Sequence, residues 1–166
     1  MLNYSEETIF TPNDVSLIRC VEDVYTMTAA RVGIASELKE SVRKTDLIRI
    51  DPNNATFWIF HHLLKRVKYR YDLPFLQYAI YRVGGKYDWH RDAIKGERRR
   101  LSVSVQLSHP GEYSGGNLEL LTWFGRRRMA GKGIGNAVFF GPQLLHRVKP
   151  VTAGVRLSLV GWFLKK

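Results

Sequence analysis

A mainly β chain with helices gathered toward its N-terminal end is the architecture this sequence predicts. Two textures and one spacing point there. Over residues 13–68 apolar side chains recur at helical intervals, whereas from residue 75 onward short apolar runs take over. Six such runs, each closed by a glycine or proline break within hairpin reach, argue for an antiparallel sandwich or jelly roll.

The elements follow in order. Asn13-Asp14 offers an N-cap for a first helix, in which Val15, Leu17, Ile18, Val21 and Val24 are spaced to share a face. Asp51-Pro52-Asn53-Asn54 reads as a turn into a second helix running to Lys68, with Phe57, Phe60, Leu63, Leu64 and Val67 as its apolar stripe. The strand candidates are 75–83, 101–108, 117–124, 136–141, 146–151 and 155–163. Thr152-Ala153-Gly154 reads as a hairpin turn, so that strand 146–151 runs out and strand 155–163 returns beside it. No repeat or linker divides the chain. The expectation is therefore one domain over 1–166, with 1–74 as mostly helical support and 75–166 as the β core that carries the site.

Bulk properties narrow the class. A chain of 166 residues can bury a core without staples, and 45% hydrophobic with 25% charged residues is ordinary for a soluble globular protein. The single cysteine, Cys20, excludes an internal disulfide and points to a reducing, cytoplasmic compartment. No basic start followed by an apolar run opens the chain, and no stretch nears the ~18 apolar residues of a membrane span, so neither a secretory signal nor a membrane partner is expected. Lys plus Arg number 26 against 15 Asp plus Glu, a net charge of +11 that favours polyanionic or acidic partners.

The residues able to carry chemistry are few. In an extended segment His90 and Asp92 point to one side, so both can reach a single ion. Such a pair alone is most often a surface accident. His146, at the head of a later strand, completes two histidines and one carboxylate, a set that suits Fe(II) and leaves one face of an octahedron open. The remaining histidines are poorer ligands: His61 and His62 are neighbours on a helix and diverge, and His109 enters a Pro-Gly turn. Farther along, Arg156, Ser158 and Val160 share a strand face among apolar neighbours. A buried guanidinium there can grip a carboxylate in two-pronged fashion, with the Ser158 hydroxyl beside it.

Four segments in a fixed order resemble a known family. Tyr81-Arg82-Val83-Gly84-Gly85-Lys86-Tyr87 leads into His90-Arg91-Asp92; the strand from Arg100 to Ser108 follows; Tyr113-Ser114-Gly115-Gly116 enters another strand; and His146-Arg147-Val148-Lys149-Pro150-Val151 precedes Gly154-Val155-Arg156-Leu157-Ser158. Together they resemble the prolyl-hydroxylase-like Fe(II)/2-oxoglutarate-dependent dioxygenases, over just more than half of the chain. The resemblance implies a double-stranded β-helix, a cupin-like jelly roll whose larger sheet the first helices support. It implies His90, Asp92 and His146 as metal ligands, Arg156 as the partner of the distal carboxylate of 2-oxoglutarate, Ser158 as a supporting hydroxyl and Tyr81 as a pocket-lining tyrosine. Some relatives place another tyrosine on the strand after the first ligands; here that place falls on Gln106. Gly115 and Gly116 are expected to serve the backbone.

The implied activity is a hydroxylation driven by Fe(II), 2-oxoglutarate and O2, with ascorbate as an optional further cofactor. Asp92 favours hydroxylation over halogenation, since related halogenases lack that carboxylate. A prolyl or other residue in a protein or peptide is the leading substrate, ahead of nucleic acid and a free amino acid. Basic runs at Lys65–Arg70, Lys95–Arg100 and Arg126–Arg128, with Tyr87, Trp89 and Trp123 nearby, keep nucleic acid in view. The competing classes are a non-catalytic basic jelly-roll module that binds nucleic acid, and a cupin-like enzyme holding another metal. Nothing in the sequence assigns an oligomeric state.

Overall fold

The computed structural model describes residues 4–23, 28–29, 41–93, 96, 98–122 and 125–166. Val24 and Trp123 lie outside the described residues. In chain order the elements are β1 (Tyr4–Thr8), α1 (Pro12–Arg19), β2 (Thr28–Ala29), β3 (Arg43–Lys44), β4 (Asp46–Ile50), α2 (Phe57–Arg66), β5 (Tyr71–Asp72), β6 (Leu76–Tyr81), β7 (Lys86–His90) and β8 (Arg99–Gln106). They continue with β9 (Tyr113–Gly115), β10 (Leu118–Leu121), β11 (Arg127–Met129), β12 (Asn136–Phe140), β13 (Leu145–Val148), β14 (Val151–Gly154) and β15 (Arg156–Lys165).

Two antiparallel sheets face each other. The major sheet runs β1-β12-β8-β15-β6-β4-β2, with β5 added to the end of β15, and the minor sheet runs β11-β10-β13-β7-β3. Alternation along the major strands assigns their faces. Ile48, Ile50, Tyr78, Ile80, Val103, Val105, Leu157 and Leu159 pack outward against Val15, Ile18, Ile59, Phe60 and Leu63 of the two helices. Leu47, Ala79, Tyr81 and Val138 point the other way, into a second core with Leu118, Leu120 and Val148 of the minor sheet. The inward face of β8 and β15 is instead polar: Ser102, Ser104, Gln106, Arg156 and Ser158 are all buried there. A hydrophilic stripe in the middle of a sandwich needs partners, and it is where the site forms.

Several expectations need correction. Among the described residues of 1–74 the helices are not alone, because β1, β3, β4 and β5 fall there and β4 lies beside β6 in the major sheet. The first helix starts two to three residues earlier than Asn13-Asp14 suggested. Thr11 is its N-cap, Pro12 opens it, and the Thr11 hydroxyl and the Asp14 carboxylate close a reciprocal capping box. In α2 the buried stripe is Ile59, Phe60 and Leu63, while Phe57 is 58% exposed. The expected hairpin between 146–151 and 155–163 is absent. Lys149-Pro150 breaks the first run, Thr152-Ala153-Gly154 belong to β14, which pairs with β9, and β13 and β15 lie in opposite sheets. Among the described residues no helix is long and apolar enough to cross a membrane.

Candidate active site

His90 is the last residue of β7 and pairs in register with His146 on β13, which sets the two imidazoles side by side with ring centres 4.1 Å apart. A bulge follows: Val148 pairs with Tyr87, so β7 spends one more residue than β13 between these pairs. The extra residue leaves Tyr87 stacked flat on His90, centroids 3.4 Å apart. The guanidinium of Arg43 lies over the far ring at 4.5 Å from the Tyr87 centroid. This pile fixes the plane of the His90 ring.

Asp92 lies just past the end of β7 rather than on it, yet it still turns to the same side. Ala93 N–H donates to the Pro142 carbonyl (2.9 Å), Arg91 Nε to the Gln143 carbonyl (2.9 Å), and Arg99 Nη1 to the Asp92 carbonyl (3.1 Å). The carboxylate stands 3.8 Å from His90 Nε2 and 3.7 Å from His146 Nε2. Ligand atoms of all three residues lie within 4.8 Å of one another.

The donor set fits a divalent metal. His90 Nδ1–H donates to the Asp88 carbonyl (2.7 Å) and His146 Nδ1–H to the Leu144 carbonyl (2.8 Å). Both Nε2 lone pairs are thereby presented to one point. Burial, reinforced by His146, holds the His90 imidazole down at about 3, so it is neutral and its lone pair is free. Ser102 Oγ donates to Asp92 Oδ2 at 2.7 Å, which leaves the other carboxylate oxygen for an ion.

The inward residues of β8 lead from this cluster to a cavity lined by Ser104, Gln106, Tyr113, Lys132 and Arg156. Arg156 is 3% exposed, its guanidinium donates to Ser158 Oγ (3.2 Å) and lies 5.3 Å from the Tyr81 ring centre. Among the described residues no carboxylate pairs with it. A buried cation without a counter-charge is costly, and an anionic ligand of the cavity answers it. Gln106 Nε2 donates to the Tyr113 hydroxyl (3.1 Å). Burial pushes that hydroxyl above its ordinary range, against the pull of Arg156, so it stays protonated. Lys132 Nζ donates to the Gly115 carbonyl (2.9 Å) and sits 4.6 Å from the Tyr113 ring centre. Gly115 and Gly116 both have positive φ, and a Cβ on Gly116 would press within 3.0 Å of the Arg156 side chain.

His90, Asp92, His146, Arg156, Ser158, Tyr81 and Gln106 all reach this region. The correction concerns the route: Arg156 and His146 come from facing strands, not neighbouring ones. His61 instead contacts Tyr69, and His109 caps its own turn through Gly111 N–H (3.2 Å). Tyr113, Lys132, Ser102 and Arg43 were not anticipated. Ser102 was legible, since Ser102, Ser104 and Gln106 alternate with Leu101, Val103 and Val105. Lys132 had only a weak signal, a lone cation in Gly131-Lys132-Gly133-Ile134-Gly135.

Residues 76–164 match the family model of the 2OG-Fe(II) oxygenase superfamily, more than half of the 166-residue chain. The chain belongs to that superfamily. A PKHD-type hydroxylase of Maricaulis maris is 39% identical over 135 residues, covering 80% of this chain and 60% of that protein. The chain spans about half the length of the curated relatives it matches. A Pseudomonas putida prolyl-4-hydroxylase superposes at a TM-score of 0.76 with 23% identity, over 100% of this chain and 94% of that one. A prolyl hydroxylase from Trichoplax adhaerens, solved with a peptide fragment of the hypoxia inducible factor oxygen degradation domain, reaches 0.83 at 14% identity, over 98% and 84%. These likenesses establish the jelly-roll fold. For a 2OG-Fe(II) oxygenase the cofactor set is Fe(II), 2-oxoglutarate and O2, and His90, Asp92 and His146 can hold the iron.

Proposed function

We propose that this chain is an Fe(II)- and 2-oxoglutarate-dependent hydroxylase acting on a prolyl or other residue within a protein or peptide. The observation that carries the reading is the convergence of two Nε2 atoms and one carboxylate beside a cavity holding a buried, unpaired Arg156. Peptide as substrate is supported by the two solved relatives, a prolyl-4-hydroxylase and a prolyl hydroxylase bound to a peptide fragment.

His90, Asp92 and His146 are the metal ligands in this reading, and Asp92 offsets one of the ion's two positive charges. Arg156 takes the distal carboxylate of the cosubstrate through two parallel N–H donors, while Ser158 holds the guanidinium in place. Tyr113 adds a hydroxyl donor and Lys132 a second cation. Gln106 aims Tyr113, and Tyr81 forms the floor beneath Arg156. Bound Fe(II) and 2-oxoglutarate supply the oxidising power: the 2-oxo acid is decarboxylated to succinate and CO2 as one oxygen atom of O2 enters a substrate C–H bond. Cys20 is free and exposed, which accords with a reducing, cytoplasmic setting for this activity.

The test is succinate release with Fe(II), 2-oxoglutarate and ascorbate, run against proline-containing peptides and single-stranded oligonucleotides. Succinate coupled to peptide oxidation is expected. Oxidised oligonucleotides with untouched peptides would overturn the substrate, and no succinate under any condition would overturn the enzymatic reading.

A further inference from the structure

A second cleft, of about 370 Å³, opens beside the metal ligands, lined by Pro74, Phe75, Arg98, Arg99, Trp162 and Leu164. Two residues link its lining to the triad. Ser102 pairs in register with Trp162 and donates to the Asp92 carboxylate. Arg99 donates to the Asp92 carbonyl while its guanidinium covers Trp162 at 4.4 Å from the ring centre. A chain placing one residue at the triad would lay its neighbours here.

The cleft has an aromatic floor and a cationic rim. Phe75 and Trp162 meet at 5.9 Å with their planes tilted by 58°. Arg49 covers Phe75 at 4.0 Å. Each ring therefore carries a guanidinium. Arg98 is exposed, and Arg99 and Arg100 follow it along the chain. The acids described around the cleft are Asp51, taken by Arg49 at 2.9 and 3.1 Å, exposed Asp72, which pairs with Leu164, and Asp92, whose carboxylate turns to the two imidazoles. An apolar floor beneath a guanidinium rim matches a short peptide stretch with carboxylates beside an apolar residue.

We propose that this cleft docks the acidic flank of a peptide substrate, with Arg98 taking a carboxylate and Phe75 and Trp162 packing against its apolar part. The inference rests on the hydroxylase reading and narrows its substrate to prolyl or similar residues set in acidic sequence. Arg98 is the residue to vary, because Arg99 also supports Asp92.

The experiment uses the whole chain with Mn(II) and the inert analogue N-oxalylglycine. Fluorescence anisotropy compares a labelled prolyl peptide flanked by Asp with the same peptide flanked by Asn. The Asp peptide should bind about tenfold tighter, one charge-assisted pair's worth, and the preference should fade with added salt. In Arg98→Glu the preference should vanish and a Lys-flanked peptide should gain. Equal binding of the Asp and Asn peptides overturns the inference, as does an Asp preference that survives Arg98→Glu. A single-stranded oligonucleotide that outcompetes the Asp peptide, and loses that advantage in Arg98→Glu, also overturns it by giving the cleft to nucleic acid. Thermal stabilisation by Mn(II) and N-oxalylglycine is recorded separately. If it occurs without any acidic preference, only the docking inference falls. If it fails, the hydroxylase reading falls and the cleft loses its catalytic place.

Discussion

The two sheets that enclose the site differ in how firmly they hold their residues. On the minor sheet, β7 is only half-buried along its whole length, and His90 ends it. On the major sheet, β15 is a ten-residue strand buried at its first four positions, Arg156 and Ser158 among them. The proposed metal ligands are therefore oriented by local devices: carbonyls on both imidazole Nδ1 atoms, a ring stack on His90, a hydroxyl on Asp92. The cavity residues are oriented by the sheet itself, with Arg156 opposite Tyr81 and Ser158 opposite Gln106. The lesson is that metal and cosubstrate binding should be separable by mutation, because different layers carry them.

The largest effect comes from removing a ligand. His90→Ala should lose metal-dependent turnover to background, and Mn(II) binding by calorimetry should become undetectable. The metal-free variant should unfold at nearly the temperature of the metal-free parent, since His90 belongs to neither core. A variant that unfolds would mean the half-buried β7 is structural after all, and the contrast between the sheets would be lost.

Next comes Arg156→Ala. Losing one partner of a buried charge-assisted pair costs on the order of 2–5 kcal/mol. That loss should appear in the affinity for 2-oxoglutarate or N-oxalylglycine, with Mn(II) affinity nearly unchanged. Parallel losses in both would show that the major sheet also shapes the metal site.

The same contrast explains what could be read from the sequence. The proposed ligands His90, Asp92 and His146 follow from residue type, and the Arg156/Ser158 pair from alternation along one strand. Those are local properties. The pairing of strands is not local. Thr152-Ala153-Gly154 carries every mark of a hairpin turn, yet the chain crosses there from one sheet to the other, and only β9 shows where it goes. Phe57 has the spacing of a core residue but opens α2 and is exposed, with His61 as its ring neighbour. Tyr113 and Lys132 meet Arg156 only after two loops close, and no spacing along the chain foretells such a meeting.

A smaller effect tests the one residue that serves across the layers. Ser102 is on the major sheet but bonds the metal ligand Asp92 at 2.7 Å. Removing a partner that orients a ligand typically lowers metal affinity by about 10–100-fold. Ser102→Ala should do so while leaving N-oxalylglycine affinity, measured at saturating Mn(II), as it was. Unchanged metal affinity would show that Asp92 is held by its backbone contacts alone.

The smallest effect belongs to Tyr113→Phe, the counterpart of Ser102→Ala on the cosubstrate side. The change removes one oxygen and keeps the ring, so the contact with the Lys132 ammonium survives. Gln106 Nε2 keeps its other acceptor, the Ser108 carbonyl at 3.1 Å, so no buried donor is orphaned. What disappears is a single protonated hydroxyl facing the Arg156 cavity. One neutral hydrogen bond contributes about 0.5–1.5 kcal/mol, so N-oxalylglycine should bind roughly two- to tenfold more weakly. Mn(II) affinity should not move, because Tyr113 touches neither the imidazoles nor Asp92. If metal and analogue weaken together, the separation of metal residues from cosubstrate residues fails. If neither changes, the Tyr113 hydroxyl does not reach the ligand carboxylate, and Arg156 with Lys132 must hold it without help.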